Sequence, residues 1–396
     1  MKQLLHNAGL KFYLGIILMC ALCTGNARAE WAEVIGPTTK QLRAIDGISD
    51  SHVIAGGDTG TIIRYDGTDW STMDSGTAQN IYGVWCASVE EAFAACDKGV
   101  ILHYDGTTWN AMDSGTTQRI RTIWGTAPDD VFAGGEDGTM LHYDGTSWEA
   151  MDSSTGDTLQ GVWGTSGDNV FAAGGPSDTG GLGKGIIVQY DGTQWSTLSE
   201  NVFPRLKDIW GDDQGTIFIV GDTGGIVSYD PDAAAWEQMT APVTDSLKGV
   251  WGCAVDNVYG VGDSGTIIRY DGTSWEIDPV GVAVDLNGIW GSSADAVFVV
   301  GREGTILHYT EESGGNEDDP VCPAAYVLGP DDQGLEILRA FRDSILAAGP
   351  AGRKLIDLYY ANSSAVNSLL AGSPGLKKAA AGALGLLLPV LEATVR

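Results

Sequence analysis

Tryptophan returns along this chain at a nearly fixed interval, and that interval leaves few folds open. Trp85, Trp124, Trp163, Trp210, Trp251 and Trp290 share one place in a repeated unit, with Asp46 in that place in the first copy. Counted from Asp46, the spacings are 39, 39, 39, 47, 41 and 39 residues. A second tryptophan follows each YDG-type turn, at Trp70, Trp109, Trp148, Trp195, Trp236 and Trp275. Each copy holds four short apolar runs bounded by turn residues, as in IRTIW, DDVFAGG, GTMLHY and TSWEAM of the third. Runs this short, rich in β-branched and aromatic residues, read as strands. A four-stranded unit repeating near every 40 residues is the pattern of a β-propeller blade. Seven copies predict an all-β, seven-bladed β-propeller over residues 30–310. Asp144-Gly145 and its equivalents predict type I′ hairpins between the third and outer strands.

The seventh copy stops at Tyr309-Thr310 without its second tryptophan, and that tryptophan stands at the other end of the chain as Trp31. Trp31 precedes Leu42 by eleven residues, as Trp148 precedes Leu159. Residues 30–37 are therefore expected to supply the outer strand of the last blade, closing the ring and removing a free sheet edge.

The flanks differ from the repeats. Residues 1–29 carry Lys2 and Lys11 ahead of an apolar run, Phe12 to Cys23, and end in Ala27-Arg28-Ala29, which reads as a secretory signal with its cleavage site. Residues 311–320 (EESGGNEDDP) read as an acidic linker. Residues 321–396 have apolar positions at helical spacing (Leu335, Leu338, Phe341, Ile345) and predict a small α-helical C-terminal domain. The apolar run Ala379 to Val390 is too short to span a bilayer, and packing among helices is its simplest use. Export makes the cysteines readable. Cys86 and Cys96 replace two repeated glycines in the second copy together, so a disulfide between them is the expectation in an oxidising compartment.

Charge bounds the partners. The net charge of −30 over the whole chain disfavours nucleic acid and anionic membranes. Many acids sit in the repeated turns (Asp66, Asp105, Asp144, Asp191, Asp271), where Asp serves turn geometry. The few basic residues instead gather where the chain enters each inner strand: Lys40, Arg43, Arg119, Arg121, Arg205, Lys207 and Lys248. The position just after the Leu or Ile that opens the strand reads Arg43, Tyr82, Arg121, Gln160, Lys207, Lys248 and Asn287 around the ring. In a propeller this connection surrounds the opening of the central channel. Cations and amides there, with no acid at that position, point to a ligand-binding site for an anionic group, carried by a protein or an anionic glycan. The competing reading is that these residues only neutralise an acidic body.

No catalytic motif, metal-ligand spacing or cofactor fingerprint appears. The ring position Arg64, His103, His142, Gln189, Ser228, Arg269 and His308 holds three histidines, but equivalent positions of different blades fan apart and do not make a metal site. A polysaccharide-active enzyme on a propeller would need a carboxylate pair that breaks the repeat, and a purely structural surface protein would need no site at all.

The repeats themselves, such as LNGIWGSSADAVFVVGREGTILHY with YDGTSW, resemble those of exported bacterial W-G/YDGxxW propellers. More distantly they are similar to the propeller assembly factors of photosystem II, which share the G-x-x-G-x-I run. The resemblance implies a non-catalytic binding or scaffold role. The set Cys322-Pro-Ala-Ala-Tyr, Leu338-Arg339, Phe341-Arg342-Asp343, Gly352-Arg353 and Tyr359-Tyr360 resembles the CFI-box module of exported bacterial proteins, which implies envelope association. The sequence therefore predicts an exported propeller (periplasmic, at the cell surface or secreted) that binds a partner at its channel mouth.

Overall fold

The computed structural model describes residues 30–176, 183–231, 233 and 235–310. The signal segment, the acidic linker and the helical module lie outside the described residues. Residues 31–310 form one compact unit of seven four-stranded antiparallel sheets, a seven-bladed β-propeller. In order the inner strands are Leu42–Ser49, Ile81–Cys86, Ile120–Ala127, Thr158–Ser166, Leu206–Gly211, Leu247–Ala254 and Leu286–Ser293. We number the blades 1 to 7 by these strands. Within a blade the strands follow each other outward in chain order, except in the last. There Glu30–Glu33 forms the outer strand against Ile306–Thr310, as the displaced tryptophan requires. Trp31 packs against Tyr309 (ring centroids 5.1 Å apart) and donates its indole N–H to Asp278 of blade 6 at 3.0 Å.

The core lies between blades, because each sheet is apolar on both faces of its inner two strands. Val53, Ala55 and Ile63 of blade 1 pack on Phe298 and Val300 of blade 7, and the same pattern recurs around the ring. Each inner-strand indole reaches onto the next blade. Trp85 lies so close over Gly125 that a Cβ there would come within 2.9 Å of the ring and 2.7 Å of the Asp130 carbonyl oxygen. Trp124 sits likewise over Gly164, Trp163 over Gly211, Trp210 over Gly252, Trp251 over Gly291 and Trp290 over Gly47. Any side chain at these glycines forces the blades apart or the indole out. The exception is the contact between blades 1 and 2. Asp46 replaces the indole, and with no ring to admit, blade 2 carries Cys86 where the other copies have glycine.

That arrangement corrects the expected disulfide. Ile81 pairs with Cys96 and Cys86 with Ala92, so the two cysteines stand at opposite ends of their hairpin. Roughly five residues of strand separate them, about 15 Å, where a disulfide needs Cα atoms within about 7 Å. Both are buried free thiols, and burial pushes the Cys96 thiol up to about 12. Residues face each other across a hairpin only when equidistant from its turn, and these two are not. Their joint replacement has separate causes.

The turn chemistry is also corrected. The third and outer strands are joined by four residues, as in 144–147, with only the glycine at positive φ (Gly145, +86°). The preceding Asp144 carboxylate accepts the amides of Thr146 and Ser147 at 2.8 and 2.9 Å. The same pair of bonds recurs at Asp66, Asp105, Asp191 and Asp271, and the amides hold the carboxyls of Asp66, Asp144 and Asp191 below their ordinary range. A side-chain oxygen substitutes for the turn that the backbone does not make. Most of the repeated acids thus have local work.

Because closure rests on one strand from the far end of the chain, deleting residues 30–37 is expected to abolish the single cooperative melt of the propeller. A deletion variant that keeps the parent melting temperature in calorimetry contradicts this closure.

Candidate functional site

The seven positions singled out in the sequence do come together. Arg43, Tyr82, Arg121, Gln160, Lys207, Lys248 and Asn287 all line one cavity of about 580 Å³, the central channel. Each follows the Leu or Ile near the start of an inner strand, so the propeller's pseudo-symmetry delivers them to one rim. They are not free cations.

The register places a second, acidic ring beside them. Leu42 pairs with Gly57 and Ile120 with Gly135, so the residue before each inner strand lies against the residue after each second strand. Asp58 N–H donates to the Gln41 carbonyl at 2.9 Å, Glu136 to Arg119 at 3.0 Å and Asp222 to Arg205 at 2.9 Å. These turn residues supply counterions. Arg43 meets Asp58 at 2.5 Å, and Arg121 meets Glu136 at 2.6 Å. Arg119 bridges Asp97 and Glu136, and Lys248 bridges Asp263 and Asp285. Charge on this face is nearly balanced: the cations read from the sequence stand in a ring of ion pairs. The acids escaped the sequence reading because they sit some 15 residues downstream of their partners, in the other connection. The hairpin register, applied to DTG, DKG and EDG after each second strand, would have found them.

The balance varies around the rim. Tyr82 gathers three guanidinium groups over its ring, those of Arg43, Arg119 and Arg121, at 5.0, 5.0 and 5.5 Å from its centroid. Its hydroxyl donates to Asp97 at 3.3 Å. Asn287 spends its amide on the Leu42 carbonyl of blade 1 at 2.7 Å, a bond that helps close the ring. Blade 4 has Gly175, followed by Pro176, where the other blades carry the acid or, in blade 7, Arg302. Next to it Arg205 (3.1 Å) and Lys207 (3.4 Å) share the single buried carboxylate of Asp222, and Arg205 takes a further bond to the Pro176 carbonyl. Burial first, and the neighbouring Arg205 and Arg121 after it, push the Lys207 ammonium below its ordinary range, against the pull of Asp222. The Arg121 Nε, also buried, has no acceptor among the described residues. Among the described residues, the arc from Arg121 past Gln160 to Lys207 is where positive charge exceeds its counterions.

The histidine ring is engaged within its own blades. His142 Nε2 lies 2.7 Å from Asp130, His103 lies 3.4 Å from Glu91, and the His308 ring stacks on Phe298 at 3.9 Å. Among the described residues no cluster of three metal-ligating side chains occurs.

Two channel carboxylates were not among the site residues expected from the sequence. Asp46 and Asp208 break the repeat, and they are the carboxylates among the residues lining the channel. Each stitches its blade to the next. Asp46 accepts the Cys86 amide at 2.6 Å, and Asp208 accepts the amides of Val250 and Ile209, both at 2.9 Å. Neither meets a cation in the ion pairs of the structure. Burial, against the pull of these amides, pushes both carboxyls up to about 7. The signal for Asp46 was its place in the tryptophan series. Asp208 stands where other copies have Ala, Gly or Thr.

No protein-family model matches the chain, and no curated protein matches it in sequence. Solved structures do resemble it. One titled YCF48 bound to D1 peptide superposes with TM-score 0.58 at 18% identity, covering 71% of this chain and 94% of that one. YCF48 from Cyanidioschyzon merolae gives 0.58 at 19%, covering 72% and 100%. The WD40 β-propeller domain of Doa1 gives 0.59 at 12%, covering 73% and 97%. At such identities the likeness is one of fold.

The raised carboxyl pKa values carry a stability consequence. An unfolded Asp titrates near about 4, so the folded chain holds these protons more tightly. Their contribution to stability is fully present below about pH 4 and is lost as pH rises through about 7. Asp46→Asn should therefore flatten the fall in melting temperature across that window and melt higher than the parent above it. An unchanged slope in the variant contradicts the assignment.

Proposed function

We propose that the propeller is a non-catalytic docking scaffold that holds an acidic segment of a partner protein at the channel mouth. The carrying observation is the arc where Arg205 and Lys207 share Asp222 beside a blade with Gly175 in place of the turn acid, flanked by Arg121 and Gln160. A partner carboxylate there completes ion pairs that the chain leaves short, at a site already organised and partly desolvated. The likeness to a propeller titled as bound to a peptide supports a protein ligand over a glycan. The signal-like residues 1–29 further support a scaffold that works outside the cytoplasm. An enzyme is the weaker reading, because Asp46 gives one carboxylate oxygen, and Asp208 both, to backbone amides.

A chain of net charge −30 should flow straight through a polyanion column, which makes retention informative. Immobilised poly-L-glutamate is expected to retain the protein at low salt, and the Arg121→Ala/Lys207→Ala variant should elute in the void. Flow-through of the parent contradicts the reading. Retention on a sulfated glycan but not on polyglutamate replaces the protein ligand with a carbohydrate one.

A further inference from the structure

The other end of the channel is chemically unlike the mouth. Six inner-strand tryptophans line it, with Asp46 as the seventh member of their ring. Five of them lie nearly parallel to a phenylalanine of the second strand. Trp85 on Phe93, Trp163 on Phe171 and Trp290 on Phe298 have interplanar angles of 28°, 25° and 24°, with centroids 5.9 to 6.4 Å apart. Trp124 and Trp210 follow at 31°. These five indoles have phenylalanine on one side and the next blade's glycine at the far edge, and all six tryptophans line the channel.

Interblade packing explains the indoles but not Asp46. In the other blades the partner across the strands is aromatic, whereas Asp46 stands opposite Ile54. Blade 1 thus gives up both rings of the stack, and Cys86 refills only part of the volume. A packing role alone favours a seventh tryptophan. What Asp46 adds is a carboxylate between Trp290 and Trp85, at the level where every other channel residue of its ring offers a π face. Asp208 adds a second carboxylate in the same wall. The mouth acids are matched by cations, and these two are not.

We propose that this girdle is a binding site for an organic cation, an alkylammonium or guanidinium group held by the indole faces and the Asp46 carboxylate. The negative faces of aromatic rings attract such cations, tryptophan most strongly, and a carboxylate beside them supplies the countercharge. The channel that the girdle shares with the mouth has a volume of about 580 Å³, in the range that small-molecule sites occupy. A bare metal ion does not suit the site, because indoles offer it no donor atoms. The proposal is independent of the anion-binding reading of the mouth, since it uses other residues at another depth.

The test titrates the full chain with tetramethylammonium chloride, with N-acetyl-arginine methylamide, and with the neutral isostere tert-butanol, reading indole fluorescence and heat. It is run at about pH 8, where a carboxyl titrating near 7 is ionised. Saturable binding of either cation is expected, weakened by about tenfold or more in Asp46→Asn, which is about 1.4 kcal/mol, with no saturation by the alcohol. Tighter binding of the arginine derivative assigns the cation to a partner's side chain, and tighter binding of tetramethylammonium assigns it to a free small molecule. The variant keeps an acceptor for the Cys86 amide, and a cooperative melt verifies its fold. Absence of saturation with both cations, equal binding of the alcohol, or equal affinity in a folded Asp46→Asn overturns the proposal.

Discussion

An indole laid over a glycine holds this ring together. Each inner strand offers a tryptophan to the next blade, and that blade removes its side chain to receive it. The contact fixes blade spacing at the narrowest radius, where an error of one methyl group has no slack to absorb it. Two consequences follow. The cross-strand phenylalanines are pressed flat against the indoles, which orders the channel wall. The inner strands are also brought close enough for side chains of one blade to bond the amides of the next, as Asp46 and Asp208 do.

The same constraint explains what was legible in the sequence. A ring of equivalent blades needs equivalent contacts, so Trp, Gly and the YDG turn recur at a period that reads directly as a propeller, and the orphaned Trp31 announces how the ring closes. What repeats in sequence is what the packing demands. Information that depends on register between segments was harder to see. Asp58, Glu136 and Asp222 are plain in the sequence, but only the pairing of inner and second strands sets them beside Arg43, Arg121 and Lys207. The mouth thus read as a cationic ring when it is a ring of ion pairs with one surplus arc. The cysteine pair failed for the same reason. Two positions that change together looked like neighbours, yet each answers to a different contact.

Asymmetry then becomes the guide to function on a symmetric frame. Blade 4 omits the turn acid, which leaves Arg205 and Lys207 dividing one carboxylate, and blade 1 omits the indole, which brings a carboxylate into an aromatic girdle. These two departures lie at different depths of one channel and carry opposite charge. A partner carrying an acidic segment suits the first, and an organic cation suits the second.

The most direct test of this account is a double-mutant cycle on the one interface that departs from the rule. Asp46→Trp alone should destabilise the chain, because Cys86 occupies the place the indole needs, and Cys86→Gly alone should leave a void. Combined, they restore the contact found at the other six interfaces. The predicted result is a favourable coupling of more than about 1 kcal/mol in denaturant unfolding, well beyond the additivity of independent sites. Strictly additive effects would contradict the claim that indole and glycine act as one locking element.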